Sequence, residues 1–479
     1  MIKFTLLFII VLLPSIAFGQ KQANVWYFGN GAGLDFNDNC LTKVLTDGAI
    51  NGFEGCATIA DKNSGQVLIY TNSANVWDRN HNLMPNGNLI TNGSTITQVT
   101  IVQKPGFDSI YYIVTSEVQG FSGQGYRFHQ VDMSLNGGLG GLTFKDSILY
   151  LSPVTEKIIP VQHSNGTDIW LLGHQYNSNQ FLSFLLNSNG INTSPVISAI
   201  GKIHSDNSTA DAVGELKASP NSSKLAVVTL VNPNIELFDF DNSTGLVSNL
   251  ITLPENGGYN SQGNPSGLYG LSFSPDNSKL YASQWLSPSA GVSAKIIQYD
   301  LSSNDSASIQ QSRVNIFSSA TKNLYSLKLA PDRKIYVAQN QSSSFLGVIN
   351  DPDSSGLGCN YVDQGIYLNG KFSSWGLNNL MEYDSYCALA SNYAQQQTYD
   401  VKFFPNPFSL QTVLETTYPL HNAELRIYNL SGQLVTAIKN INSQTIRLNR
   451  GELPSGIYIA KLTAHSKTIA THKIVIIDN

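Results

Sequence analysis

Three stretches decide the fold: Leu216-Lys-Ala-Ser-Pro220-Asn-Ser-Ser-Lys-Leu-Ala-Val, Leu271-Ser-Phe-Ser-Pro275-Asp-Asn-Ser-Lys-Leu-Tyr-Ala and Leu327-Lys-Leu-Ala-Pro331-Asp-Arg-Lys-Ile-Tyr-Val-Ala. Their prolines stand 55 and 56 residues apart. Each stretch alternates apolar and polar residues, breaks at Pro-Asn or Pro-Asp, and alternates again, which predicts an antiparallel hairpin. Proline presets φ for the first turn position, and Asn or Asp bonds back to the chain. A third strand follows in each unit: Ile235-Glu-Leu-Phe-Asp-Phe, Lys295-Ile-Ile-Gln-Tyr-Asp and Leu346-Gly-Val-Ile-Asn. A fourth comes after it. Four antiparallel strands, repeated, are the signature of a propeller blade. One such sheet cannot bury both faces alone; packing blades around an axis solves that problem.

Fainter copies lie upstream. Gly55-Cys-Ala-Thr-Ile-Ala-Asp, Val99-Thr-Ile-Val-Gln and Ile158-Ile-Pro-Val-Gln each open a unit, followed by Gln66-Val-Leu-Ile-Tyr, Ile110-Tyr-Tyr-Ile-Val and Asp168-Ile-Trp-Leu-Leu. That makes six blades. Trp375-Gly-Leu-Asn-Asn-Leu-Met reads as a further first strand with little sequence after it. Val25-Trp-Tyr-Phe and Gly33-Leu-Asp-Phe supply its missing partners, so the ring is expected to close on a seventh, composite blade. Closure removes the exposed edges of an open fan.

The bulk composition agrees with strands and tight turns. Of 479 residues, 42% are apolar and only 13% charged, about half the usual charged share. The length fits two or three domains. The net charge of −5 gives no general attraction to nucleic acid. From Val401 onward, eight Lys or Arg stand against four Asp or Glu, while the preceding residues are acidic. Such a shift marks a domain boundary.

The N-terminus reads as a secretory signal over residues 1–19. Lys3 is basic, Phe4 to Leu13 is apolar but too short for a stable anchor, and Ala17-Phe-Gly19 offers small residues before Gln20. No second apolar stretch approaches a membrane span, so no transmembrane segment is expected. The four cysteines, Cys40, Cys56, Cys359 and Cys387, form no C-x-x-C pair. In an exported protein two disulfides are expected, with Cys40–Cys56 and Cys359–Cys387 preferred among three connectivities. Four buried free thiols are the alternative.

The last eighty residues carry their own pattern. Val401-Lys-Phe-Phe-Pro405-Asn406-Pro407-Phe opens a rigid extended corner. Ala423-Glu-Leu-Arg-Ile-Tyr-Asn-Leu-Ser-Gly432, Leu453-Pro-Ser-Gly456-Ile-Tyr458-Ile-Ala-Lys461-Leu and Lys473-Ile-Val-Ile follow, short strands separated by Gly, Asn and Ser. Gly432 and Gly456 are expected at turns with positive φ. By pattern the tail is a small β-sandwich. In the order and spacing of these motifs it resembles the type A C-terminal sorting domain of the type IX secretion system of Bacteroidetes. The resemblance implies export through the periplasm and outer membrane, to the cell surface or the medium, with the secretion machinery as a partner. Pro405, Asn406, Pro407, Gly432, Gly456, Tyr458 and Lys461 carry the sorting motif. The region 20–390 resembles a secreted Bacteroidetes group of seven-bladed propellers of lactonase and quinoprotein-like shape, on Val25-Trp-Tyr-Phe-Gly, Glu54-Gly-Cys-Ala, Val76-Trp-Asp-Arg-Asn-His, Met84-Pro-Asn-Gly, Val131-Asp-Met and Gly138-Leu-Gly. That likeness bears on fold and names no activity. Residues 391–400 are polar and unpatterned, and read as a linker before a sorting domain at 401–479.

Signals for chemistry are sparse. Gly29-Asn-Gly31-Ala-Gly33 runs into Leu34-Asp-Phe, a strand and not the helix a phosphate loop needs, so it reads as a turn. Asp351-Pro-Asp353-Ser-Ser-Gly356 and Asp239-Phe-Asp241-Asn-Ser-Thr-Gly245 begin like calcium loops but lack a carboxylate at the twelfth position, so hairpin turns are the better account. His163 and His174 flank one hairpin and could meet at a metal, although hydrogen bonding between blades is the preferred reading. Most of the aromatic residues belong to the core. Trp77, Tyr126, Trp285 and Trp375 are candidates for a rim that stacks on sugar rings. No catalytic residue, metal or cofactor is predicted. The expectation is therefore an all-β chain, a seven-bladed β-propeller followed by a small β-sandwich, that binds a glycan or a surface protein. A propeller enzyme, a polysaccharide lyase or lactonase-like hydrolase, is the alternative.

Overall fold

In all three repeats the turn closes through its own side chains. Asn221 Oδ1 accepts from Ser219 Oγ at 2.7 Å and from the Ser223 amide at 3.2 Å. Asp276 Oδ1 accepts from Ser274 Oγ at 2.7 Å and from the Ser278 amide at 2.9 Å. Asp332 Oδ1 accepts from the Lys334 amide at 3.2 Å. These bonds fix the hairpin registers Ala218↔Leu225, Phe273↔Leu280 and Leu329↔Ile335. The hydrophobic alternation then places each strand's apolar set on the correct faces.

The computed structural model describes residues 21–478 except 39–40, 90–97, 119–122, 206–209, 232, 256–257, 260–264, 286–292, 341, 383–400, 417–419, 421–422 and 465–466. The expected signal segment, Cys40, Cys387 and the linker therefore lie outside the described residues. The chain divides into two compact units, Met1–Ala388 and Leu389–Asn479.

The first unit is a seven-bladed propeller. Its blades span residues 25–45, 57–88, 99–150, 154–199, 216–254, 268–319 and 324–367, each an antiparallel sheet in chain order. The innermost strands, Val25–Phe28, Ala57–Ala60, Val99–Gln103, Val154–Gln162, Leu216–Ala218, Leu268–Phe273 and Leu324–Leu329, touch in sequence around the ring. Separate apolar clusters fill the gaps between successive blades. Ile59, Ile101 and Ile113 pack between the second and third, Leu171, Phe184 and Val114 between the third and fourth, and Leu237, Leu271 and Leu280 between the fifth and sixth. The ring closes where blade seven meets blade one. There Tyr336 packs against Trp26 and Phe36 at centroid distances of 5.7 and 5.8 Å, and its hydroxyl lies 2.7 Å from Thr42 Oγ1.

Blade one differs from expectation. It has three strands, Val25–Phe28, Ala32–Asp38 and Leu41–Leu45, and Trp375–Met381 forms no ladder with them. The segment enters the ring as irregular chain. The Trp375 amide donates to Phe53 O at 2.9 Å, Trp375 O accepts from the Ser326 amide at 3.1 Å, and the Asn379 amide donates to Cys56 O at 3.0 Å. It thus lies between the inner strand of blade seven and the approach to blade two. Gly376 permits this passage: a Cβ there would sit 1.6 Å from Glu54 O. Side chains replace the missing ladder, because Asn378 Oδ1 accepts from the Thr58 amide at 2.7 Å and its Nδ2 donates to Thr58 O at 3.2 Å.

Neither expected disulfide is seen among the described residues, since Cys40 and Cys387 lie outside them. Cys56 and Cys359 are free thiols, each buried among apolar side chains. Cys359 sits in the short turn Gly356–Cys359, where Tyr281 and Ile349 belong to the same cluster. Burial pushes the Cys56 thiol up to about 12.

The second unit has two sheets, one of three strands and one of four, around a core of Leu414, Leu425, Ile427, Leu462 and Ile474. Asn406 ties the opening corner to the last strand, Lys467–Ile476: its Nδ2 donates to Lys473 O at 2.9 Å and its Oδ1 accepts from the Val475 amide at 2.8 Å. Gly432 has φ +79°, as a turn glycine should. Gly456 does not share that geometry. It opens the strand Gly456–Ala464 and pairs with Ile476.

Candidate functional site at the propeller axis

Buried charged side chains gather on the inner strands of the propeller and on the residues that lead into them. Glu54, Glu156, Lys157, Glu215, Lys217 and Lys328 are all buried. Their partners cross from blade to blade. Glu215 accepts from Ser326 Oγ at 2.6 Å and from the Leu271 amide at 2.8 Å, and lies 3.2 Å from Lys217 Nζ. Lys157 Nζ donates to the carbonyls of Asp211, Ala212 and Val213 at 3.1, 2.9 and 2.9 Å. Lys328 Nζ donates to Leu380 O and Glu382 Oε1, both at 2.7 Å. Glu54 accepts from the Tyr269 hydroxyl and from Gln98 Nε2.

Burial and satisfaction set the charge states. Desolvation, then the neighbouring Glu156, raises the Glu54 carboxyl well above its usual range. Desolvation lowers Lys157 to about 8, and it also lowers Lys328. The irregular segment completes the filling: Asn379 Nδ2 donates to Val99 O at 3.2 Å and Ile158 O at 2.9 Å. What remains between Gln98, Lys157, Glu215, Lys217 and Asn379 is a cavity of about 10 Å³. That is room for about one water molecule.

The described histidines of the propeller pair with rings and hydrogen-bond partners. His163 stacks on Trp170 at 5.6 Å, whereas His174 stacks on His204 at 3.9 Å, so His163 and His174 keep separate ring partners. His204 Nε2 lies 3.4 Å from Glu236 Oε2, and Lys157 and Lys202 stand near the pair. Among the described residues no group of three or more His, Cys, Asp or Glu is placed to hold a metal ion. The two calcium-like stretches are turns. Asp241 accepts from Ser243 and Thr244, and Asp353 accepts from the Asp276 amide and from Arg333.

The aromatic candidates separate. Tyr126 is fully buried between blades three and four, its hydroxyl donating to Lys157 O at 2.7 Å. Trp77 stacks on Tyr70 at 5.3 Å. Trp285 and Trp375 meet at 4.8 Å in one cluster with Tyr269, Tyr325 and Phe53. Sequence reasoning missed the axial charges altogether. Their only local signal was a charged residue inside an otherwise apolar strand, as at Lys157 and Lys217.

A third buried histidine gives a clean titration. His129 Nδ1 accepts from the Asp146 amide at 3.0 Å and Nε2 lies 3.3 Å from Thr115 Oγ1, an arrangement suited to the neutral ring. Burial, then Arg127 and Lys145, lowers it to about 3, although the Asp146 carboxylate stands 3.8 Å away. The unfolded chain takes up this proton near pH 6.5 and the folded chain does not. Its stabilising contribution is therefore present above pH 6.5 and lost as pH falls toward 3. Glu54 and Glu236 are raised and titrate in the opposite sense, so the comparison must be with a variant that shares them. Between pH 6.5 and 5, wild type is expected to lose stability relative to His129→Gln by about 1.4 kcal/mol per pH unit. Urea melts of both proteins across that range test it, and parallel pH profiles would refute it.

Comparison with known proteins gives one family. Residues 402–477 match the secretion system C-terminal sorting domain. The tail is a type IX sorting domain. The sorting domain directs the protein to the cell surface or the medium, and the type IX machinery handles it on the way. Among the described residues no helix is long and apolar enough to cross a membrane. No curated protein matches the chain. Solved structures similar to it include a Lactobacillus plantarum protein at 13% identity and TM-score 0.39, covering 82% of this chain and 98% of that one. A candidate 6-phosphogluconolactonase of Bacteroides uniformis stands at 13% identity and TM-score 0.44, covering 72% and 97%. PorZ, a surface component of the type IX secretion system of Porphyromonas gingivalis, stands at 10% identity and TM-score 0.29, covering 95% and 69%. The propeller assignment rests on the seven sheets themselves.

Proposed function

We propose that the protein is an exported binding protein, a propeller that engages a glycan or protein ligand with its faces and not with its axis. The observation that supports this reading is the filled axis. Its charges are paired with one another and with main-chain groups, and the 10 Å³ cavity left between them admits no substrate. A catalytic carboxyl needs a reacting atom within hydrogen-bond reach. Among the described residues Glu54 meets Tyr269 and Gln98 there. On the same reading residues 1–19 are the signal, 391–400 the linker, and Pro405, Asn406, Pro407, Gly432, Gly456, Tyr458 and Lys461 the residues through which the sorting domain is recognised.

The test uses the protein recovered from the cell surface or medium. It is incubated with immobilised glycans and outer-surface proteins, and the ligands are analysed afterwards. Saturable retention with every ligand chemically unchanged is expected. Turnover of a polysaccharide, lactone or ester that Glu54→Gln abolishes would overturn the proposal in favour of a propeller enzyme.

A further inference from the structure

A cleft of about 340 Å³ opens where the end of the propeller chain crosses its beginning. Asn30, Asn51, Phe53, Ser342, Phe372 and Ser374 line it. They come from the first turn of blade one, the passage to blade two, blade seven, and the segment that enters the axis. The size is that of ordinary small-ligand clefts. We propose that this cleft binds an uncharged saccharide, one or two rings of a neutral glycan. The inference rests on the binding reading above and names the site and the ligand class.

Three observations carry it. The first is composition: among the described lining residues every polar side chain is Asn or Ser, with no ionisable group among them. Carboxamides and hydroxyls both donate to and accept from sugar hydroxyls, and need no charge on the ligand. The second is the pair of rings. Phe372 is 38% exposed, Phe53 packs on Trp375 at 4.5 Å, and both rings line the cleft beside its polar groups. Polar edges beside an aromatic face suit a ring with hydroxyls around its rim and C–H groups on its face. The third is rigidity. The Asn30 amide donates to Phe372 O at 3.0 Å, the Gly52 amide to Gly29 O at 2.8 Å, and the Ser373 amide to Ser343 O at 2.8 Å. These main-chain bonds hold all three walls before any ligand arrives, which lowers the ordering cost of binding. They also leave the Asn30 and Asn51 carboxamides unengaged by other described residues.

The experiment is isothermal titration of the full-length exported protein with cellotetraose, xylotetraose, maltotetraose and mannotetraose, and with a hyaluronan tetrasaccharide as the acidic comparator. Phe372→Ala and Asn51→Asp are titrated in parallel. Both positions are exposed, and thermal melts confirm that the variants fold. Binding of at least one neutral tetrasaccharide, weakened about tenfold or more by each substitution, is expected. Neutral binding untouched by both substitutions, binding of the acidic sugar alone, or no binding by any of the four neutral sugars overturns the inference. These results leave the broader binding reading standing, since that reading fails only on ligand turnover.

Discussion

Removing residues 401–479 is expected to abolish surface delivery, with the shortened protein retained in the periplasm. The deletion takes away a body with its own core, in which Leu414, Leu425 and Ile474 are fully buried. It also takes away the address that the type IX machinery reads. The extreme end of this body is built in. The Ile477 amide donates to Phe408 O at 2.9 Å, and Asp478 accepts from Arg450 and Ser455 at 2.8 and 2.7 Å. Arg450 also donates to Leu453 O and Ile477 O. Arg450→Ala should therefore weaken the fold of the tail by about 1–3 kcal/mol and reduce delivery less than the deletion does. Fractionation and protease shaving of intact cells measure both; undiminished surface exposure of the deleted chain would contradict the assignment.

Asn378→Leu and Asn379→Leu are expected to cost about 2–4 kcal/mol each. Leucine keeps the branching at Cγ, adds some bulk, and removes every hydrogen bond. Asn378 is the partner of both main-chain groups of Thr58, and Asn379 serves the carbonyls of Val99 and Ile158. All five residues around these bonds are buried, so the stranded groups find little water. A lost bond whose partner stays buried costs the full desolvation of that partner. The effects should add poorly, because the two asparagines are adjacent and share one segment. Denaturant unfolding checks this. Variants within about 0.5 kcal/mol of wild type would show that the segment is not part of the ring's stability.

Local chemistry explains what the sequence made legible. The Pro-Asn and Pro-Asp turns repeat because each hairpin needs the same φ and the same side-chain acceptor, and Asn221, Asp276 and Asp332 fill that role at like positions. The second blade reads faintly because Ala60 stands where the repeats carry proline, although Asp61 accepts from the Asn63 and Ser64 amides much as they do. Trp375–Met381 has a strand's composition, yet its asparagine side chains do the work of a ladder. That substitution leaves no periodic trace. The axis was illegible for a different reason. Glu54, Lys157, Glu215 and Lys328 come from separate blades, so no spacing along the chain announces their meeting. His174 and His204 meet the same way, thirty positions apart, and the nearer His163 was the misleading neighbour.

The three-stranded first blade has a consequence for when the passenger becomes whole. All seven sheets are complete by Tyr367. The amides that join the inner strands of blades two, three and four arrive only with Asn378 and Asn379. A product clipped in between would carry every blade and still lack its central fastening. Its inner strands would offer bare carbonyls and charged groups to water and to proteases. The fold thus certifies its own completeness shortly before the sorting domain begins, so truncated passengers are the ones that periplasmic proteolysis should remove first.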